Sequence, residues 1–163
     1  PLEKNTADYN TFKKAFYKLN EELAMLIVRD GEGATKFIEV EVKEMTTKLE
    51  ARKMVHAIIT SNLVKTAFFG EDANWGRILC ALGYSGAIFN PGKVKVEYIS
   101  DAGNITLLEK GQPVLFDEAY ALEILKETDI KVVVTCDQGR ESAKGWGCDL
   151  SYDYVKINGE YRT

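Results

Sequence analysis

Thr35-Lys36-Phe37-Ile38-Glu39-Val40-Glu41-Val42 decides the fold of this chain. Ile38, Val40 and Val42 fall on one side of an extended backbone, and Glu39 and Glu41 on the other. That alternation is the signature of a half-buried strand. Upstream, Phe12, Phe16, Leu19, Leu23, Leu26 and Ile27 recur at three- and four-residue spacing. They predict a helix from Asp8 to Val28, capped by Asp8. Asp30-Gly31-Glu32-Gly33 ends it, because two glycines so close favour a left-handed turn. This helix is read as part of a different core, with a boundary between Glu32 and Lys36.

Downstream, Thr47 opens a second helix, with Glu50 completing a capping box. Its buried stripe is Leu49, Met54, Val55, Ile58 and Ile59, and it ends near Ser61-Asn62. Leu63 to Phe69 is expected to be a short strand. Asn74 caps a third helix, Trp75 to Leu82, closed by Gly83. A hairpin follows, with Val94, Val96 and Tyr98 alternating with charges, a turn at Asp101–Asn104, and a return over Ile105–Lys110. Asp117 caps a fourth helix with Ala119, Leu122 and Leu125 inward. Ile130–Cys136 is a strong strand and Gln138–Lys144 a polar loop. A terminal strand starts at Trp146, with Asp149, Ser151 and Asp153 on one side, and reaches an Asn158-Gly159 turn signal. The sum is an α+β chain, a mixed α/β sandwich rather than a doubly wound sheet.

The chain has 163 residues, 45% hydrophobic and 28% charged. At this length roughly 70% of the unfolded surface can be buried without a disulfide or metal staple. Net charge is −4, from 25 acids and 21 bases. That argues against a nucleic-acid backbone as partner, because phosphate binding needs a concentrated basic face. No apolar run approaches the roughly 20 residues of a membrane span. The polar opening, Pro1 to Thr6, is not a signal peptide. Cys80, Cys136 and Cys148 lack CxxC spacing and read as reduced thiols of a cytoplasmic protein, with Cys136 and Cys148 at buried strand positions. His56 is the sole histidine, read as partly buried on the second helix, so neither a multi-histidine metal site nor a histidine-based triad is expected. No metal or cofactor is expected.

Three segments could carry chemistry. In Asp30-Gly31-Glu32-Gly33-Ala34-Thr35-Lys36, glycines on both sides leave the Glu32 carboxylate open to close approach. The same residues also read as a helix end with a solvated Glu32. In Gly70-Glu71-Asp72-Ala73-Asn74-Trp75-Gly76-Arg77, the start of a helix offers free N–H groups to an anion, or is capped internally. In the tail, Asn158 offers a donor and an acceptor, and Thr163 a hydroxyl and the terminal carboxylate. They suit the zwitterionic end of an amino acid, or else pin the tail to its own domain. No residue has a neighbouring base in sequence that would mark it as a nucleophile.

Asp30–Lys36, Ser61-Asn-Leu-Val-Lys-Thr-Ala67, Gly70–Arg77, and Trp146-Gly-Cys-Asp-Leu-Ser-Tyr-Asp-Tyr-Val-Lys-Ile-Asn158 with the closing Tyr-Arg-Thr163 occur in this order. Together they resemble the β chain of the bifunctional ornithine/glutamate N-acetyltransferase (ArgJ) family of arginine biosynthesis, over essentially the whole length. The resemblance implies the fold that this family shares with DmpA-type aminopeptidases. Residues 1–34 would end the nucleophile-bearing domain of β. Residues 35–163 would form a smaller C-terminal α/β domain whose tail returns to the active site. It also implies self-cleavage into α and β chains and a threonine nucleophile at the new N-terminus of β, activated by its own α-amine. That threonine takes acetyl from N2-acetylornithine and passes it to glutamate, and some members accept acetyl-CoA. Glu32, Asn158 and Thr163 match the family's substrate-binding positions. The implied partners are the α chain and the N-terminal part of β, in a cytoplasmic heterotetramer of two α and two β chains, with ornithine, N-acetylornithine and glutamate as small molecules.

One departure matters. No position here matches the nucleophile, and Thr6 has the wrong surroundings. The chain is therefore read as the C-terminal part of β, inactive by itself, with no catalytic residue of its own. A self-processing aminopeptidase and a non-catalytic interaction domain are the other readings.

Overall fold

The computed structural model describes residues 2–161. One six-stranded mixed sheet organises them, in the order β4-β3-β2-β5-β1-β6. Its strands are β1 (Phe37–Met45), β2 (Lys95–Ser100), β3 (Gly103–Glu109), β4 (Gln112–Pro113), β5 (Asp129–Thr135) and β6 (Glu141–Cys148). β1 and β5 pair in parallel at the centre, and every other pair is antiparallel. This is the expected α+β architecture. The helices are α1 (Ala7–Arg29), α2 (Lys48–Ile59), α3 (Asn62–Phe69), α4 (Trp75–Tyr84), α5 (Glu118–Lys126) and α6 (Tyr152–Glu160). None is long and apolar enough to cross a membrane.

The alternation in β1 is realised. Ile38, Val40 and Val42 join Val96, Tyr98, Ile130, Val132 and Val134 in one core with residues of α2, α3, α4 and α5. The opposite side of the sheet carries charge. Lys131 bonds Glu39 at 3.1 Å and Glu41 at 2.7 Å, and Trp146 Nε1 donates to Glu39 at 3.0 Å. Burial pushes both carboxyls up, but the bonds from Trp146 and Lys131 at Glu39, and from Lys131 at Glu41, outweigh it, so both titrate below their ordinary value. A depressed carboxyl stabilises the fold above its unfolded pKa and loses that contribution as pH falls through its folded pKa. The resistance of the full-length protein to urea should therefore weaken as pH falls below about 4.5. Glu39→Gln should make that slope shallower, and an identical slope would remove Glu39 from the acid response.

Five local expectations fail for identifiable reasons. Leu63–Phe69 is helical, because Val64, Ala67 and Phe68 are buried at three- and four-residue spacing and Ser61 Oγ accepts from the Val64 N–H. Gly83 lies inside α4, whose cap is Ser85. The inner face of α5 is Ala121, Ile124 and Leu125, rotated from the expected Ala119, Leu122 and Leu125. Gln138–Lys144 is not all loop, since β6 begins at Glu141. Its inward positions are small because α2 lies close. A Cβ on Gly145 would sit 2.6 Å from Val55 Cγ1, so β6 has little apolar pattern to read. The terminal strand stops at Cys148, and Asn158-Gly159 falls within the last turn of α6 instead of making a hairpin.

Smaller departures follow the same logic. Thr6, not Asp8, caps α1 by accepting from the Tyr9 N–H. Thr47 caps α2, but Glu50 turns away to Lys53 and the Ile88 N–H, leaving the capping box half made. Leu49 and His56 are exposed. Cys136 is buried, and burial, helped by Glu44, pushes its thiol up to about 12. Cys148 is only half buried.

α1 has the predicted apolar stripe and buries none of it. Phe12, Phe16, Leu19, Leu23, Leu26 and Ile27 are all exposed. The helix is tethered at its end, where Arg29 grips Asp129 through two bonds of 2.6 and 2.7 Å and lies 3.9 Å from the Phe37 ring.

Candidate functional site

The four sequence motifs meet at one end of the sheet, where β1 begins and β6 ends. Asp149 follows β6, and its carboxylate accepts from the Thr35 and Lys36 N–H groups at 2.8 and 3.0 Å and from the Thr35 hydroxyl at 2.6 Å. Lys36 Nζ reaches Glu71 at 3.0 Å. Arg77 bonds the Leu63 carbonyl at 2.8 Å and the Thr66 hydroxyl at 3.2 Å. The Leu150 N–H donates to the Lys65 carbonyl at 3.3 Å, which closes the ring of contacts.

Glu32 stands on this ring. The Ala34 N–H donates to the Gly31 carbonyl at 2.9 Å, so the segment from Gly31 to Ala34 is a tight turn. Gly33 takes a φ of +68° at its apex, and a Cβ there would lie 2.7 Å from the Tyr154 nitrogen. The turn thus rests directly on the first turn of α6. Ser151 makes this contact polar. Its hydroxyl donates to the Gly33 carbonyl and accepts from the Tyr154 N–H, capping α6.

α6 then carries Asn158 back over Glu32. Asn158 Nδ2 donates to Glu32 Oε2 at 2.6 Å and to the Tyr154 carbonyl at 2.9 Å. Two of the three expected site residues, 126 positions apart, therefore share a hydrogen bond. Both are exposed, so a ligand can reach them. The third, Thr163, lies outside the described residues, as does Arg162. Around them α6 exposes Tyr152, Tyr154, Val155 and Ile157, and Tyr161 just beyond its end is exposed too. Chemically the pair offers a carboxylate for an ammonium, and an amide able to donate and accept.

The helix-start segment Gly70–Arg77 is internally satisfied. The Asn74 side chain caps α4 through the Arg77 N–H at 3.0 Å, and Trp75 packs against the core. Sequence reasoning missed Asp149, Ser151 and Lys36 as the supports of the site. In the sequence Asp149 and Ser151 alternate with apolar residues as the wet side of a strand does. The one available signal was a serine with an acid two residues later, the start of a helix.

A model of the ArgJ family matches residues 2–163. The chain belongs to the ArgJ family. It is 52% identical over 162 residues to the arginine biosynthesis bifunctional protein ArgJ of Caldanaerobacter subterraneus, covering 99% of this chain. It is 49% identical over 163 residues to the ArgJ protein of Thermotoga neapolitana, covering all of this chain. It spans 40% and 41% of the length of these two relatives. A crystal structure of ArgJ from Bacillus halodurans matches with a TM-score of 0.91 at 45% identity, over 98% of this chain and 74% of that one.

Proposed function

We propose that this chain is the C-terminal part of the β chain of an ArgJ acetyltransferase in arginine biosynthesis. It moves acetyl from N2-acetylornithine to glutamate through an acetyl-threonine on a segment outside these residues. The observation that carries this reading is the Asn158–Glu32 hydrogen bond. It puts a carboxylate and an amide, both matched to substrate contacts, at one exposed point. Glu32 holds an ammonium of ornithine or glutamate, and Asn158 and Thr163 hold its carboxylate or acyl amide. The Asn158 bond keeps the Glu32 carboxylate aimed before substrate arrives.

The nucleophile comes from the preceding part of β, and the oxyanion hole from the α chain, in a cytoplasmic assembly of two α and two β chains. The isolated chain is then inactive. The exposed apolar face of α1 supports this division. A stripe that wide needs cover, and residues 1–34 fit as the end of the nucleophile-bearing domain.

Glu32→Gln in the full-length enzyme tests the reading. One charge-assisted hydrogen bond to the substrate is lost, so kcat/KM for acetyl transfer should fall about tenfold with the fold intact. Unchanged kinetics would take Glu32 out of the site.

A further inference from the structure

We propose that Asp149 is a positioning residue for this site, a buried carboxylate that sets where Glu32 stands relative to Asn158. The inference rests on the reading of Glu32 and Asn158 as substrate contacts. These two side chains are exposed and belong to separate elements. A hydrogen bond between two exposed side chains does not by itself hold their backbones. The holding lies beneath them.

Asp149 is 3% exposed. Among the described residues no lysine or arginine nitrogen pairs with it. Lys36 Nζ is taken by Glu71 and by the carbonyls of Leu125 and Lys126, and Lys65 Nζ turns to Cys148 Sγ at 3.8 Å. A carboxylate buried without a cation is unfavourable unless its oxygens are hydrogen-bonded. Here all three bonds come from Thr35 and Lys36, where the Glu32 turn enters β1. An apolar residue would cap this end of the sheet with less desolvation. What the carboxylate adds is the position of the turn. The β1–β6 register ends at Phe37 and Cys148, and beyond it the backbone adds only one long bond, from the Asp149 N–H to the Lys36 carbonyl at 3.4 Å. The Asp149 side chain extends that pairing by two residues toward Glu32. Two positions later Ser151 joins Gly33 to the start of α6. A stretch of three residues therefore grips the turn that bears Glu32 and launches the helix that bears Asn158.

The experiment uses the full-length enzyme and the variants Asp149→Ala, Asp149→Asn, Glu32→Gln and the double variant Glu32→Gln/Asp149→Ala. Kinetics are normalised to folded protein, and amide hydrogen exchange is followed in parallel. Misplacing a binding group by about 1 Å is worth up to about 100-fold, so Asp149→Ala should lower kcat/KM about 30-fold. Asp149→Asn keeps acceptors for the two amides and should recover most of that loss. In the double variant Asp149→Ala should add less than about threefold to the Glu32→Gln effect, because both act on one interaction. Exchange should quicken about tenfold or more in residues 31–36 and 152–158, with β2 and β5 still protected. Full multiplication of the two single effects, or unchanged exchange in both segments, would overturn the proposal. Glu32→Gln alone reports on the underlying site. If it is silent, the site reading fails, while exchange still decides the clamp.

Discussion

Lys36→Met is expected to lower the unfolding free energy of the full-length protein by about 3 kcal/mol, measured by urea denaturation. Lys36 is 8% exposed and uses all three of its donors. They go to Glu71 at 3.0 Å and to the carbonyls of Leu125 and Lys126 at 2.8 and 2.9 Å. Those carbonyls are the last of α5, the end of a helix that lacks internal partners and carries partial negative charge. One ammonium therefore joins the head of β1, the end of α5 and the α3–α4 connection. Methionine matches the stem in volume but donates nothing. Two carbonyls and a carboxylate lose their partner together. Glu71 is 30% exposed and regains some water, which keeps the loss at the low end of the range for broken buried pairs. Glu71 also has a φ of +53°, a left-handed conformation that a glutamate adopts only when held. Glu71→Gln keeps an acceptor and should lose about 1 kcal/mol. A loss under about 1 kcal/mol for Lys36→Met would mean that water replaces the ammonium.

The sequence shows the sheet and its core because both follow from periodicity. Ile38, Val40 and Val42 alternate, the 94–110 hairpin alternates around a turn signal, and Ile130 with Val132–Val134 makes a β-branched apolar run interrupted only by Lys131. What it hides depends on contacts between distant segments. The inward residues of β6 are glycines and an alanine because α2 lies against them, and small residues carry no period. Leu63–Phe69 is apolar enough for either state, and the Ser61 cap decides it. Asp149 looks like a solvated strand residue until its partners, more than 110 positions away, are known. Glu32 and Asn158 drew notice through exposed chemistry and family resemblance, and local pattern gave no hint of their shared bond. The stripe of α1 was visible, and its outward direction was not, because a stripe does not name its partner.

Gly33→Ala is expected to lower kcat/KM of the full-length enzyme about 100-fold while the sheet stays folded. Two independent strains converge at this position. Its φ of +68° costs an alanine about 1–2 kcal/mol. The added Cβ would also lie 2.7 Å from the Tyr154 nitrogen and 3.1 Å from the Asp153 carbonyl carbon. Both are backbone atoms in the first turn of α6, so no side-chain rotation relieves the clash. Either the Glu32 turn lifts or α6 moves away. In both cases Ser151 loses the Gly33 carbonyl, and Asn158 separates from Glu32. α6 has no buried residue and adds none to the core cluster, so the damage falls on alignment more than on folding. Gly83→Ala serves as the control, since a Cβ there meets nothing within 4 Å in the interior of α4. It should leave the rate unchanged and stabilise by about 0.5 kcal/mol. If Gly33→Ala keeps most of the rate while Gly83→Ala behaves as expected, the seating of the turn on α6 is not what aligns Glu32 with Asn158.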